Sequence, residues 1–286
     1  MESRRSAKSK FKDKLGQMSG IVSLRGDTWK DEFWISVAKA LFLPRRVFTV
    51  YTSIGRFLYS DVVARTNYGM FFCRKGTVDL GFISDSFEYG VTNVMNSIEG
   101  NFVDCGAYIG KYTIMASKLG SVDNVVSIEP DPDNRSVLER NIALNGCKNV
   151  KVLGKAIWKT RGKIDFNKAR SETTSFVGID DSHYEREVFD TISVGTMKLE
   201  DVAKVVAKVD WIKMDIEGAE YEVLMSSERF LRKHRPNIIL ELHEKILGGK
   251  RSRELLTHMK KLGYQVEHIN FGYYLLVWKE NSDKTY

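Results

Sequence analysis

An α/β fold is predicted, built on a doubly wound, mostly parallel seven-stranded sheet with a C-terminal antiparallel hairpin and an N-terminal helical/β extension. Three observations predict it. Short apolar runs alternate with helix-period segments from about Ser86 onward. The first run, Asn101–Cys105, empties into a turn carrying Gly106 and Gly110 that opens a helix over Lys111–Leu119, closed at Gly120. The last two runs, Tyr264–Ile269 and Tyr273–Trp278, are separated only by Asn270-Phe271-Gly272, which reads as a hairpin.

Length and composition bound the rest. The 286 residues suit one large domain with an extension, and 43% apolar against 28% charged residues leaves ample material for a core. The formal charge of +7 is uneven, because Met1–Lys14 holds six basic and two acidic residues. The remaining body is only mildly basic, which argues against a dedicated nucleic-acid binder. Cys73, Cys105 and Cys147 show neither metal spacing nor an even-numbered disulfide framework, so a reducing, cytoplasmic location is expected. Arg4 and Arg5 are followed by polar residues rather than an apolar run, so no signal peptide is expected, and no stretch approaches the roughly 18 apolar residues of a membrane span.

In order along the chain, residues 1–20 read as a mobile basic tail. Residues 21–85 form an N-terminal helix and a small β cap. The helix, Asp27–Leu43, carries Trp29, Phe33, Trp34, Val37, Leu41 and Phe42 at helical spacing and is expected to stop at Pro44. Such a basic, aromatic helix either packs on its own domain or makes peripheral contact with a membrane surface. Arg56–Phe82 reads as short strands broken at Asn67-Tyr68-Gly69 and Lys75-Gly76. The main domain, 86–286, opens with a helix at Ser86–Ile98 and the Asn101–Cys105 strand. Then come a strand at Asn124–Ile128, a helix at Asn134–Leu144 closed by Asn145-Gly146, and a strand at Asn149–Leu153. An inserted hairpin, Lys163–Phe166 with Phe189–Val194, carries a long tip, Asn167–Val188, with Glu172, Thr173, Thr174, Asp180, Asp181, His183 and Tyr184. A lid over the substrate and a disordered loop are both open readings for that tip. A buried strand at Val209–Asp215, a helix at Glu217–Leu231, a strand at Pro236–His243 and a helix at Arg251–Leu262 complete the alternation before the hairpin.

Strand ends in such a sheet line one crevice, so the residues there are the candidate site. Asp104 leads into the glycine turn, whose glycines are read as allowing a ligand close to the backbone. The Asp-x-Gly-x-x-x-Gly spacing differs from the dinucleotide fingerprint and points to S-adenosylmethionine (SAM), which has no pyrophosphate. Glu129 ends the next strand, where an acidic residue accepts hydrogen bonds from ribose hydroxyls. Ala156, just past the third strand, is small enough to leave room for an adenine ring. Asp215, Glu217, Glu220, Glu241 and His243 fall at or just beyond the ends of the fourth and fifth strands. Lys213 alternates with Asp215 and shares its face, which predicts an ion pair, and Glu220 is read as a cap or dipole partner for the following helix.

Asp104-Cys-Gly-Ala-Tyr-Ile-Gly110, Ser127-Ile-Glu-Pro-Asp-Pro132 and Ile212-Lys-Met-Asp-Ile-Glu-Gly-Ala-Glu220 together resemble the FkbM family of SAM-dependent, class I Rossmann-like methyltransferases over roughly Glu88 to Trp278. Cys105 and Tyr108 depart from the Val and Asn that the family often has there. The resemblance implies methyl transfer to a hydroxyl of a sugar, a glycan or glycolipid, or a secondary metabolite.

A hydroxyl nucleophile needs a base, and Asp215 ranks first for the acceptor side, followed by His243, Glu217 and Glu241. The same groups offer hard oxygen and imidazole ligands, but their spacing demands no metal. The rival enzyme is an RNA 2′-O-methyltransferase, suggested by the basic tail and by Arg229–Arg235 and Lys245–Arg253. Against it, those runs fall on helices, where charge is usually a solvated face. A module that keeps the fold and lacks the reaction is the third reading.

Overall fold

Residues 1–92 and 93–286 form two units. The structure, a computed structural model, describes residues 19–48, 54–85, 87–169, 176–177, 188–270 and 272–279. The basic tail before Ser19 and the tip positions Glu172, Thr173, Thr174, Asp180, Asp181, His183 and Tyr184 lie outside the described residues.

In the first unit, β1 (Arg25–Gly26), β2 (Val62–Arg65) and β3 (Met70–Cys73) pair antiparallel in that order, with α1 (Trp29–Phe48) between the first two. The β2–β3 turn is the predicted Asn67-Tyr68-Gly69, held by the Thr66 hydroxyl, which accepts from the Tyr68 and Gly69 amides. A reciprocal pair starts α1: the Thr28 amide donates to Asp31 and the Asp31 amide to the Thr28 hydroxyl. The helix does not stop at Pro44. Proline removes one amide donor, and here the chain goes on to Phe48 without that bond. Ile35, Ala38 and Phe42 form its buried face. A short helix, α2 (Asp79–Phe82), stands where the last strand of the cap was expected.

After α3 (Tyr89–Met95), shorter than the predicted Ser86–Ile98, the second unit alternates as expected. It runs β4 (Gly100–Cys105), α4 (Lys111–Ser117), β5 (Val122–Ile128), α5 (Pro132–Leu144), β6 (Val150–Leu153), β7 (Ala156–Ile157), β8 (Gly162–Ala169), β9 (Phe176–Val177) and β10 (Val188–Met197). Then come β11 (Trp211–Met214), α6 (Glu220–Ser226), α7 (Glu228–His234), β12 (Asn237–Glu241), α8 (Glu244–Leu262), β13 (Tyr264–Asn270) and β14 (Tyr273–Trp278). The main sheet has seven strands in the order β13-β14-β12-β11-β4-β5-β6. β14 alone runs opposite to the other six strands. All four residues of β11 and the last four of β4 are buried, as a strand covered on both faces requires.

Several boundaries move for local reasons. α5 starts two residues early because Asp131 accepts from the Asp133 amide and Pro132 has a preset φ at the first helical position. α4 ends at Ser117 and is capped at Lys118 rather than Gly120. The predicted helix Glu217–Leu231 is two helices, since buried Ser227 (φ −108°, ψ 20°) steps out of the helical region between α6 and α7. α8 begins at Glu244 and kinks at Gly248 (φ 75°, ψ 148°), so the apolar periodicity is legible only beyond the Gly248-Gly249 pair. The inserted hairpin is part of a second, four-stranded sheet, β7-β10-β8-β9, in which β7 pairs parallel with β10. Arg161 and Lys204 both pair with Asp201, tying this insert to the helical turn Leu199–Lys204.

Candidate active site

The chain reverses direction across the sheet between β4 and β11: β5 and β6 follow on one side of β4, and β11 returns on the other. Ligands of doubly wound sheets bind beyond the carboxyl ends at such a reversal. The register sets Asp104 beside Lys213 and Cys105 beside Met214. The loops after β5, β4, β11 and β12 therefore meet at one rim, and they hold Glu129, Gly106–Gly110, Asp215–Ala219 and His243.

The two glycines of the first loop are required by packing. Gly106 has φ +81°, and a Cβ there would come within 1.8 Å of the Asp215 carbonyl oxygen. Gly110 caps α4 with φ +92°, and its Cβ would meet Leu138 at 2.5 Å. Packing therefore favours glycine at both positions independently of any ligand, because the Asp215 carbonyl and the Leu138 side chain stand where a Cβ would be. Tyr108, between them, is also left-handed (φ 51°), which turns its amide towards Glu129. Glu129 is buried; one carboxylate oxygen accepts from the Tyr108 amide (2.8 Å) and the other from the Asp131 amide (3.0 Å). Burial outweighs those two donors and pushes its carboxyl up to about 8. Asp104 is buried as well. Its Oδ2 accepts from the Thr113 hydroxyl (2.7 Å), itself 2.7 Å from the Ser127 hydroxyl, while Oδ1 has no hydrogen-bond donor among the described residues. Burial raises its carboxyl, and the Lys213 ammonium pulls the other way.

Across the reversal the charged groups converge. Lys213, 1% exposed, donates from Nζ to Asp215 Oδ2 at 3.0 Å, the ion pair that the strand alternation predicts, and lies 4.9 Å from the centre of the Tyr112 ring. His243 Nδ1 is 2.9 Å from Glu220 Oε1. Its Nε2 is 3.3 Å from Glu217, 3.8 Å from Asp215 and 3.9 Å from Glu241. Tyr273 donates its hydroxyl to the other oxygen of Glu241. Burial by itself would lower the imidazole, yet Glu220, Glu217 and Asp215 together raise it to about 10. At neutral pH His243 is therefore a cation, and Asp215 is the better proton acceptor of the two. Burial would also raise Asp215, but the Lys213 ammonium and the His243 cation hold it below the ordinary carboxylate range.

Asp215, Glu241 and His243 each bring a ligand atom within 4.8 Å of the others, a donor set suited to a divalent cation. Such an ion would have to displace the Nε2 proton. Glu217 itself sits in the left-handed region (φ 54°) ahead of Gly218 (φ 105°), so the loop after β11 turns sharply to bring its side chain back to His243.

All four acceptor-side candidates, Asp215, His243, Glu217 and Glu241, are thus in one cluster. Asp104, Gly106, Gly110 and Glu129 line the adjoining loops. Ala156 lies in β7, paired with Thr196 and taken up by the apolar core. Glu220 stands in the first turn of α6, where an acid suits the helix dipole, but makes no side-chain cap; its buried Oε1 accepts from the Ile216 and Gly218 amides and faces His243, so it also secures the preceding loop and the imidazole. Thr113, Ser127 and Tyr273, which position Asp104 and Glu241, carry no sequence signal, because a hydroxyl's partner is set by packing between distant elements. A cavity of about 460 Å³ lies at the opposite, amino-terminal edge of the strands. Lys208 and Asp210 pair with each other in its lining, and Asp210 also accepts from the Asn101 amide.

The sequence pattern of the Methyltransferase FkbM domain matches residues 104–266, more than half of the chain. Among solved structures, the chain is similar to the methyltransferase FkbM from Methylobacillus flagellatus KT. The two are 22% identical with a TM-score of 0.41, over 63% of this chain and 44% of that one, so the likeness spans less than half of the Methylobacillus protein. It is also similar to a precorrin-6y C5,15-methyltransferase from Geobacter metallireducens GS-15, at 11% identity and TM-score 0.40 over 66% and 86% of the two chains. A third is M. jannaschii TYW2 in complex with AdoMet, at 17% identity and TM-score 0.36 over 76% and 83%. No curated protein sequence matches the chain.

Proposed function

The chain belongs to the FkbM methyltransferase family, and from that premise we propose that it moves a methyl group from SAM to a hydroxyl of a small molecule or glycan: a sugar, a glycolipid or a secondary metabolite. The observation that carries this reading is the convergence of Asp215, Glu217, Glu241 and the His243 cation beside the glycine turn and Glu129. The residues present suit the cofactor. Asp104 Oδ1 is a buried acceptor with no donor among the described residues, as a hydroxyl or ammonium ligand group requires. Glu129 keeps a lone pair on each oxygen for ribose hydroxyls after accepting its two amides.

When bound, the sulfonium supplies an electrophilic methyl carbon. Everything else falls to the chain. Asp215, pinned by Lys213, would take the proton of the acceptor hydroxyl, whose oxygen receives the methyl as the methyl–sulfur bond breaks and the sulfonium leaves as a neutral thioether, a role worth about 10²–10⁴-fold in rate. The loops after β11 and β12 hold the acceptor in line, and such orientation contributes roughly 7–11 kcal/mol. His243, oriented by Glu220, offsets the clustered carboxylates so that Asp215 remains ionised.

The test is a labelled-methyl survey in which the protein, radiolabelled SAM and fractions of metabolites, glycolipids and RNA are incubated together. Label in a nuclease-resistant, hydroxyl-bearing fraction is expected. Label lost on nuclease treatment would move the acceptor to RNA, and no transfer to any fraction would overturn the enzymatic reading.

A further inference from the structure

We propose that the first unit carries a docking surface for an anionic lipid bilayer, formed by the outer stripe of α1 and the turn at Tyr59. The inner stripe, Ile35, Ala38 and Phe42, is already buried, so the helix has spent its core-facing side. The outer side still carries large aromatic residues. Trp29 is 76% exposed, Phe33 53% and Tyr59 65%. Trp29 and Phe33, four residues apart, share a helix face. Phe33 touches Trp34 (5.0 Å between ring centres) and Trp34 touches Tyr59 (5.6 Å), so the rings form a continuous patch. Trp and Tyr are the residues that settle at the boundary between headgroups and acyl chains.

Charge selects the occupant. Before residue 93 there are fifteen basic and nine acidic residues, so +6 of the chain's +7 belongs to this unit. The two acids of the first turn of α1 keep their charge, but their carboxylates are drawn in to backbone amides of the unit rather than extended outward. Asp31 accepts from Thr28 and Val63, and Glu32 accepts from Gly26. Lys30 lies 5.7 Å from the Trp29 ring centre, where its ammonium can meet a phosphate while its stem covers the indole. The rings close on one another at 70° and 35° rather than standing as parallel platforms, which disfavours base stacking and hence single-stranded RNA as the occupant. No described helix is long and apolar enough to cross a membrane, so the contact is one of lying on the surface.

The test is cosedimentation of the full chain with vesicles of phosphatidylcholine alone and of phosphatidylcholine with phosphatidylserine, read beside a Trp29→Ser/Phe33→Ser double variant. The expected result is binding to the anionic vesicles that weakens with salt and falls at least about tenfold in the double variant, with the melting temperature unchanged. Absence of vesicle binding overturns the proposal, as does binding indifferent to the double variant. A dimer, or single-stranded RNA binding, that depends on Trp29 and Phe33 while vesicles do not bind assigns the patch to another occupant and likewise overturns it. None of these outcomes depends on the methyl-transfer reading.

Discussion

His243 gathers the site's electrostatics, since its ring nitrogens face four carboxylates: Asp215 and Glu217 on the loop after β11, Glu220 at the start of α6 and Glu241 at the end of β12. Because its folded pKa is raised, its contribution to stability is complete below the free value of 6.5 and is lost as pH rises to about 10. An NMR titration should place the imidazole midpoint near 10, and the stability gap between wild type and His243→Gln should close over that same interval. Asp215→Asn should leave SAM affinity within about threefold while turnover falls about 10²-fold or more, measured by calorimetry and by methyl transfer. Asp215, Glu129 and His243 were legible because each is a charged residue ending an apolar strand. The partner of His243 was not. Glu220 reaches it from three residues beyond Glu217 only because Glu217 and Gly218 take left-handed conformations, and a spacing pattern does not record that.

Among the elements, the loops after β4 and β11 are locked together at Gly106. Gly106→Ala combines a left-handed φ with a contact of 1.8 Å to backbone, and should cost about 2–5 kcal/mol, seen as a melting temperature lower by roughly 5 °C or more. If the variant melted normally and lost only SAM, the glycine would serve the ligand after all. The insert is held by Asp201, which accepts from Arg161, Lys204 and the Lys198 amide. Asp201→Ala should destabilise by about 1–3 kcal/mol at neutral pH. The Arg161 hydrogen bond, together with Lys204 and the Lys198 amide, outweighs burial and depresses the Asp201 carboxyl. Its contribution therefore holds above the free value of 3.8 and fades as pH falls below it, so melting curves of the two proteins should converge in acid. The parallel strands were readable as apolar runs bounded by turn residues. The break at Ser227 and the kink at Gly248 were harder, since apolar periodicity continues across the first and is interrupted before the second. The second sheet was half visible: its hairpin alternates, but the pairing of two-residue β7 with β10 is a tertiary event.

At the scale of the molecule, charge and chemistry are separated along the chain. Residues 93–286 hold twenty-nine basic and twenty-eight acidic residues, while the excess positive charge belongs to residues 1–92. The number of strands and their mostly parallel sense were foreseeable from the alternation of strands and helices, because right-handed crossovers leave few ways to wind such a chain. The acceptor was not, because loop side chains choose it and the tip of the insert has no periodic pattern. The central claim is that the rim at the β4–β11 reversal binds SAM through Glu129, and calorimetric titration with SAM tests it most directly. Wild type should give saturable heat, and Glu129→Gln, still folded by its melting curve, should bind roughly 10–100-fold more weakly. No heat from the wild type, or equal affinity in the variant, would contradict it.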